Sequence, residues 1–284
     1  MTAQTETVLD GRLCSEKDVD YLRQAMDFAG IPSFGVCSLP SSTSFLPCRA
    51  RQRIPKDAVR LIVCLFPYYV GEMPHNISRY AIVADYHLVV RDMLEKACRF
   101  LQERYPEAQF AWFTDSSPFP EVTAAVQAGL GVRGKNGLLI TKAFGTYQFI
   151  GEIATDFPFT CNTPSQGGCI GCGKCIQACP SGCLSANGRT DAVCLSAVTQ
   201  KKGELSQEEE ALVRRGGLLW GCDICQEVCP HNHMLQKTSI RAFSEDCIPI
   251  LRYEDIPALV KTRAFGFRGA GVLQRNYRII YGEP

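Results

Sequence analysis

The stretch Cys169-Ile-Gly-Cys172-Gly-Lys-Cys175-Ile-Gln-Ala-Cys179-Pro180, followed by Cys194 and by Cys222-Asp-Ile-Cys225-Gln-Glu-Val-Cys229-Pro230, decides how the chain is read. A C-x2-C-x2-C-x3-C-P run is the spacing with which bacterial ferredoxins hold two 4Fe-4S clusters. Each cube needs four thiolates, and the fourth Cys of a run serves the other cube. By that crossing rule Cys169, Cys172 and Cys175 take one cluster together with Cys229, which precedes a proline as Cys179 does. Cys222 and Cys225 take the second cluster with Cys179. One ligand is then missing, because Leu219-Trp220 stands where an ordinary second run carries its first Cys. Cys194 is the natural eighth. Cys183, just behind the Cys-Pro pair where small ferredoxin domains turn away from the cluster, competes with it.

Other uses of cysteine fit the spacing less well. Zinc sites close with four ligands and do not explain two runs that each end in x3-C-P. A disulfide scaffold is denser in cysteine than 16 in 284 residues. That length suits one good-sized domain and a smaller one. The formal net charge of +1 gives no global attraction to a polyanion or an anionic membrane. The longest apolar run, Leu61 to Val70, contains Pro67 and falls short of the roughly 18 residues a membrane span needs. The opening MTAQTETVLDGR has neither a basic nor an apolar region, so the expected address is the cytoplasm, with no membrane partner.

Outward from the cysteines the pattern is α/β (α+β). Ser15 with Glu16 and Asp18 reads as a helix start, continued by Val19, Leu22 and Met26 and stopped by Gly30-Ile31-Pro32. Strands are expected over Ser33 to Cys37 and Leu61 to Leu65. A long amphipathic helix is expected from Asp85 to Glu103, a strand at Phe110 to Phe113 and a helix at Thr123 to Ala128. Strands at Gly137 to Thr141 and Tyr147 to Ala154 complete a layer of about 160 residues.

Two short patterns need testing against context. Gly129, Gly131 and Gly134 form a literal G-x-G-x-x-G, but a helical pattern leads in and a strand leads out, the reverse of a dinucleotide-binding turn. Such a turn can still lay backbone N–H groups against another phosphate-bearing or amide-rich cofactor. Asp85-Tyr86-His87 resembles the start of the D-x-H-x-x-G loop whose His binds cobalt in some cobalamin proteins. Val90 stands in place of the Gly, so His87 is expected to hydrogen-bond or to touch a cofactor's periphery.

Several stretches together resemble the epoxyqueuosine reductase family, whose core is shared with reductive dehalogenases. They are Tyr80-Ala-x-x-Ala-Asp85-Tyr86-His87, Asp115-Ser-Ser-Pro118-x-x-Glu121, Ala128-Gly-Leu-Gly131-x-x-Gly134-Lys135-Asn136, Gly151-Glu152-Ile153, the cysteine runs with Cys194-Leu-Ser, Gly221-Cys-Asp-x-Cys-Gln226, and Gln274-Arg275-Asn276. The resemblance favours Cys194 as the eighth ligand. It implies a nitroreductase-like core (1–160) holding base-off cobalamin, a ferredoxin-like domain (161–240) with two 4Fe-4S clusters, and a tail (241–284) packing on the core. Asp115 would be the proton donor, with its carboxyl pushed up by burial beside Ala-Trp-Phe113 and Phe119. Asp85, Tyr86, His87, Asp115, Gly131, Gly134, Lys135 and Asn136 would meet the cobalamin or the site around it.

The implied activity is a cobalamin-dependent oxidoreductase that reduces epoxyqueuosine to queuosine in tRNA, fed by reduced flavodoxin or ferredoxin. Two departures bear on it: Val122 replaces a usual basic residue, and the sequence ends at Pro284 without the helical repeats that help relatives hold tRNA. A short form with weakened tRNA contact is therefore expected, unless Arg263, Arg268, Arg275 and Arg278 make a local basic face. The alternatives are a corrinoid-dependent, dehalogenase-like reductase of a small molecule and a two-cluster electron-transfer protein with no substrate of its own.

Overall fold

Ser15 starts the first helix as its side chain predicts. In the computed structural model, which describes residues 14–283, Ser15 and Asp18 form a reciprocal capping box on α1 (Glu16–Ala29). Gly30 closes the helix at φ 73°, a left-handed turn that a Cβ would strain. The opening MTAQTETVLDGR, read above for a leader, lies outside the described residues. β1 (Ser33–Ser38), β2 (Arg60–Pro67), α2 (Arg79–Ile82), α3 (Tyr86–Arg104), β3 (Phe110–Thr114) and α4 (Glu121–Gln127) follow. Next come β4 (Val132–Arg133), β5 (Leu139–Ile140), β6 (Gln148–Thr155), α5 (Lys174–Ala178), β7 (Leu184–Ser185) and β8 (Gly188–Arg189). The remaining helices are α6 (Leu195–Thr199), α7 (Gln207–Gly216), α8 (Ile224–Glu227), α9 (Arg241–Glu245), α10 (Ile256–Leu259) and α11 (Ala270–Tyr281).

The strand expected over Gly137 to Thr141 contracts to β5, which pairs antiparallel with an unanticipated β4. Two-residue strands are too short to show an alternation, and glycine disfavours strands. Here the glycines serve the hairpin's close approach, since a Cβ on Gly131 would lie 2.4 Å from the Ile140 carbonyl oxygen. The dinucleotide order, strand before and helix after, is absent, as the sequence indicated.

The chain forms two compact units that interleave. One takes the described residues through Leu65, Val90–Leu130 and Ile150–Ser165; the other takes Phe66–Val89, Gly131–Phe149 and the chain from Gln166 onward. The sequence-based divisions near residues 160 and 240 are linear. No composition shift marks Leu65 or Phe149, which both lie inside apolar strands.

In the first unit the strand order is β1-β2-β6-β3, with β1 and β2 antiparallel and β3 and β6 antiparallel. Every residue from Leu61 to Phe66 is buried, the continuous apolar run expected of an interior strand covered on both faces. Leu22 and Met26 of α1 and Val90, Leu94 and Leu101 of α3 are buried in the same unit, each worth about 1.5–3 kcal/mol of apolar transfer. Tyr105 donates from its hydroxyl to Asp18, 2.8 Å away, and so gives a buried ring a satisfied polar end.

In the second unit Val272 and Leu273 of α11 join Trp220, Ile77, Ala81, Ile82 and Phe265 in one apolar cluster. The tail motif acts through its polar groups. Fully buried Asn276 donates to the carbonyls of Thr199 (2.7 Å) and Leu219 (2.8 Å), and Arg275 donates to that of Lys201 (2.7 Å). Arg263 is buried against Asp246, and Arg278 donates to the Tyr253 hydroxyl at 2.5 Å. Of the four arginines considered above for a basic face, Arg263 and half-buried Arg275 engage a carboxylate and backbone carbonyls, while Arg268 and Arg278 are exposed. Among the described residues no helix is long and apolar enough to cross a membrane.

Candidate functional site

The cysteines sort into two recesses of similar size, about 330 and 370 Å³, both within the second unit. Cys169, Cys172, Cys175 and Cys229 line the first. Cys179, Cys194, Cys222 and Cys225 line the second, and Cys183 lines it too. Cys183 was expected to turn away. It is instead buried, with its sulfur 3.5 Å from that of Cys179, because the β7–β8 hairpin folds the chain back at Leu184. Burial, then neighbouring thiols, lifts Cys222 and Cys225 to about 12. The four thiols of the first recess are the donor set a 4Fe-4S cube requires, and the five of the second include such a set.

The residues between the cysteines hold these loops in place. Gly221 adopts φ 76° and comes so close to Ser78 that a Cβ would meet the serine Cβ at 2.4 Å. Fully buried Asp223 accepts from the Ser78 hydroxyl (2.6 Å), the Arg79 backbone N–H (2.6 Å) and the Gln226 amide (2.9 Å). Gln226 in turn accepts from the Thr146 hydroxyl at 2.9 Å, and Asn232 donates to the Gln226 carbonyl at 2.8 Å. The Gly221-Cys-Asp-x-Cys-Gln226 motif thus couples ligand-bearing residues to the segments at 78–79 and 146. Sequence reasoning quoted Asp223 and Gln226 but gave them no role.

Gly134, Lys135 and Asn136, expected beside a corrinoid, lie in the turn between β4 and β5 and line the first recess. Asn136 is buried, accepts from the Leu138 N–H at 3.2 Å and also borders the second recess. Asp85 caps the head of α3: its side chain accepts from the His87 N–H at 3.0 Å and meets His87 Nδ1 at 2.8 Å. Tyr86 stacks on Phe149, with ring centroids 4.1 Å apart, and on His87 at 4.0 Å. His87 is thus held by a carboxylate and a ring, the hydrogen-bonded state expected of it.

Asp115 lies in the first unit, immediately after β3, with φ 58°, a conformation that costs a non-glycine residue about 1–2 kcal/mol. Its loop is tied down from several sides. Ser117 N–H donates to the Asp115 carbonyl (2.7 Å), the Cys48 thiol to the Ser116 carbonyl (3.2 Å) and Leu46 N–H to the Pro118 carbonyl (2.7 Å). Asp115 itself is exposed, so the burial expected to raise its carboxyl is not there. It falls on two neighbours instead. Glu152 of β6 sits opposite Phe113 in the β3–β6 register, is fully buried, and neither of its oxygens has a hydrogen-bond partner. Glu121, in the first turn of α4, has Oε1 buried and unpartnered.

Burial, with the Asp115 charge adding to it, lifts the Glu121 carboxyl from 4.5 to about 8. Glu152 is held well above the carboxylate range by burial and then by Glu121. Both side chains were visible in the sequence as parts of motifs. Which carboxyl the fold would bury was not.

A family model described as "4Fe-4S double cluster binding domain" matches residues 168–232, and one described as "Epoxyqueuosine reductase QueG, DUF1730" matches residues 49–116. The cysteine-bearing segment is therefore a double 4Fe-4S cluster binding domain. An epoxyqueuosine reductase from Listeria monocytogenes is 37% identical over 211 residues, which span 69% of this chain and 54% of that protein. The chain thus spans about half the length of the curated relatives it matches. The structure of epoxyqueuosine reductase from Streptococcus thermophilus superposes with a TM-score of 0.77 at 23% identity, covering 92% of this chain and 80% of that one. An epoxyqueuosine reductase solved with an epoxyqueuosine-modified tRNA-Tyr stem loop gives 0.76 at 22% identity, covering 93% and 80%. A catabolic reductive dehalogenase gives 0.52 at 14% identity over 92% of this chain and 36% of that one, so the core fold is shared more widely.

Proposed function

Because the chain belongs to the epoxyqueuosine reductase family, we propose that it is a cytoplasmic, cobalamin- and iron-sulfur-dependent oxidoreductase that removes the epoxide oxygen of epoxyqueuosine in tRNA to give queuosine. The observation that carries the redox part is the sorting of the thiols into two recesses, four cysteines in the first and five, Cys183 included, in the second. Cys169, Cys172, Cys175 and Cys229 would hold one cluster and Cys179, Cys194, Cys222 and Cys225 the other. When bound, the clusters and cobalamin supply low-potential electrons to the substrate carbon.

The chain's own side chains bind, orient and protonate. Asp85, Tyr86 and His87 would border the corrin, with His87 held by Asp85 and unavailable through Nδ1. Asn136 and Lys135 would form the wall of the first cluster recess. Asp115 would give its proton to the epoxide oxygen as the C–O bond breaks, a role that suits a loop fixed at its backbone while its carboxyl stays exposed. Reduced flavodoxin or ferredoxin would supply the electrons.

A second reading, reduction of a small molecule by the same groups, is favoured by one observation: Arg263 and Arg275 are engaged within the fold and are lost to phosphate contact. Anaerobic purification with cobalamin present, followed by visible spectroscopy and iron analysis, tests the cofactor set. Bound corrinoid with about eight irons per chain is expected. About eight irons with no corrinoid would leave an electron-transfer protein.

A further inference from the structure

The second recess holds one thiol more than a cube takes. Cys179, Cys194, Cys222 and Cys225 supply four, and Cys183 lines the recess beside them. A buried free cysteine ordinarily acts as a small apolar filler. Cys183 is placed differently: it is buried, yet its sulfur stands 3.5 Å from that of Cys179. Each thiolate of a 4Fe-4S cube takes its own iron, so two ligand sulfurs of one cube do not stand in contact. The pair therefore contains one ligand and one neighbour. Cys179 is the ligand by its place in the C-x2-C-x2-C-x3-C-P run, which leaves Cys183 as the neighbour and Cys194 as the fourth ligand.

The local fold keeps the two sulfurs together. Gly182 adopts φ 64° and its N–H donates to the Cys179 carbonyl at 3.2 Å, a turn that returns the chain onto Cys179. From the far end of the β7–β8 hairpin, the Thr190 N–H donates to the Cys183 carbonyl at 3.1 Å and the Thr190 hydroxyl to the Gly182 carbonyl at 3.0 Å. Cys183 is thus pinned from both sides. Cys179 is half-buried while Cys183 is buried, so a small solute entering the recess meets the Cys179 sulfur first. A disulfide joins its sulfurs at about 2.05 Å, so the gap closes by a movement of about 1.5 Å, within reach of side-chain rotation.

We propose that Cys179 and Cys183 are a peroxide-responsive dithiol, a modification site at which Cys183 captures Cys179 as a disulfide when the second cube is lost. This rests on the cluster reading and is independent of the epoxide chemistry. The Cys179 sulfur attacks one oxygen of hydrogen peroxide: the O–O bond breaks, an S–O bond forms, and the hydroxide released takes the thiol's proton and leaves as water. The Cys183 sulfur then attacks the sulfenic sulfur of Cys179. An S–S bond forms, the S–O bond breaks, and the Cys183 proton leaves with that oxygen as a second water. Two thiols are oxidised and one peroxide is reduced to two waters. Without Cys183, a second peroxide carries the sulfenic acid on to sulfinic acid, which thiols do not reverse. A dithiol reductant opens the disulfide by exchange and returns Cys179 to the recess as a ligand.

The test treats the anaerobically purified holoprotein with a small excess of hydrogen peroxide and an iron chelator, then alkylates it and digests it with trypsin. The peptide 175–189 contains Cys175, Cys179 and Cys183. It should carry one alkyl group, on Cys175, and be two hydrogens lighter elsewhere, whereas reduction with a dithiol before alkylation should give three alkyl groups. Cys183→Ala should hold about eight irons before treatment and show sulfinic acid at Cys179 after it. Resupplied with iron and sulfide after dithiol reduction, the wild type should regain about eight irons and the variant about four. Three alkyl groups on the wild-type peptide without reduction, a disulfide joining Cys179 or Cys183 to another cysteine, or equal recovery of iron would overturn the proposal. So would about four irons in untreated Cys183→Ala, which would make Cys183 a ligand. The disulfide found in a protein that turns over no epoxide would remove the reductase reading and leave the pair standing. A wild type that binds no iron would remove the cluster reading, and the pair with it.

Discussion

Replacing Glu121 by Gln should change how stability depends on pH more than it changes stability itself. In the folded protein burial and the Asp115 charge raise this carboxyl from 4.5 to about 8. Below about pH 4.5 the group is protonated both folded and unfolded, and it costs nothing. Between there and about pH 8 the unfolded chain ionises while the folded one stays protonated, so stability falls by about 1.4 kcal/mol per pH unit. Above that window the whole penalty is present, about 5 kcal/mol. The amide does not titrate, so the variant lacks this slope. It brings a pH-independent cost of about 1–3 kcal/mol from an N–H placed where Oε1 has no partner. At about 2 °C per kcal/mol for a chain of this size, the variant's Tm should gain about 10 °C on the wild type between mildly acidic and mildly alkaline pH. Calorimetry of both proteins across that range under anaerobic conditions gives the comparison. Parallel Tm curves would refute the claim that this carboxyl is buried and protonated in the fold.

Other substitutions have different signatures. Asp223→Ala strands the Ser78 hydroxyl, the Arg79 N–H and the Gln226 amide, which should cost about 3–5 kcal/mol and lower cluster occupancy, read by thermal unfolding and iron analysis. Cys194→Ala should drop the iron content from about eight to about four per chain, while Cys183→Ala should keep about eight. Retained iron in the first and loss in the second would exchange their roles. Asn276→Ala leaves the carbonyls of Thr199 and Leu219 without their donor and should cost about 2–3 kcal/mol, with faster hydrogen exchange along α11 as the readout.

Much of this was written plainly in the chain, because local rules leave local marks. Ser15 with Glu16 and Asp18 announced a helix start, Gly30 a helix stop, and the apolar run at Leu61 an interior strand. The cysteine spacing divides seven thiols between the two recesses and leaves Cys194 and Cys183 for the eighth place, and both line the second recess. What stayed hidden depends on long-range pairing. Glu152 is buried because β6 pairs with β3 and brings it opposite Phe113, and nothing near Glu152 in sequence says so. Arg263 and Arg275 look like surface charge until Asp246 and the Lys201 carbonyl come to meet them from 17 and 74 residues away. Cys183 looked misplaced for a cluster because the β7–β8 turn that folds it inward is only two residues a strand.

The central claim is that this chain removes the epoxide oxygen from a modified nucleoside in tRNA. It is tested most directly by incubating the anaerobic, cobalamin-loaded protein and a low-potential donor with an epoxyqueuosine-bearing anticodon stem loop, then reading the nucleoside by mass spectrometry. The account predicts loss of one oxygen atom and appearance of queuosine, dependent on both cobalamin and Asp115. Intact epoxyqueuosine, with corrinoid bound and both clusters reduced, would contradict it.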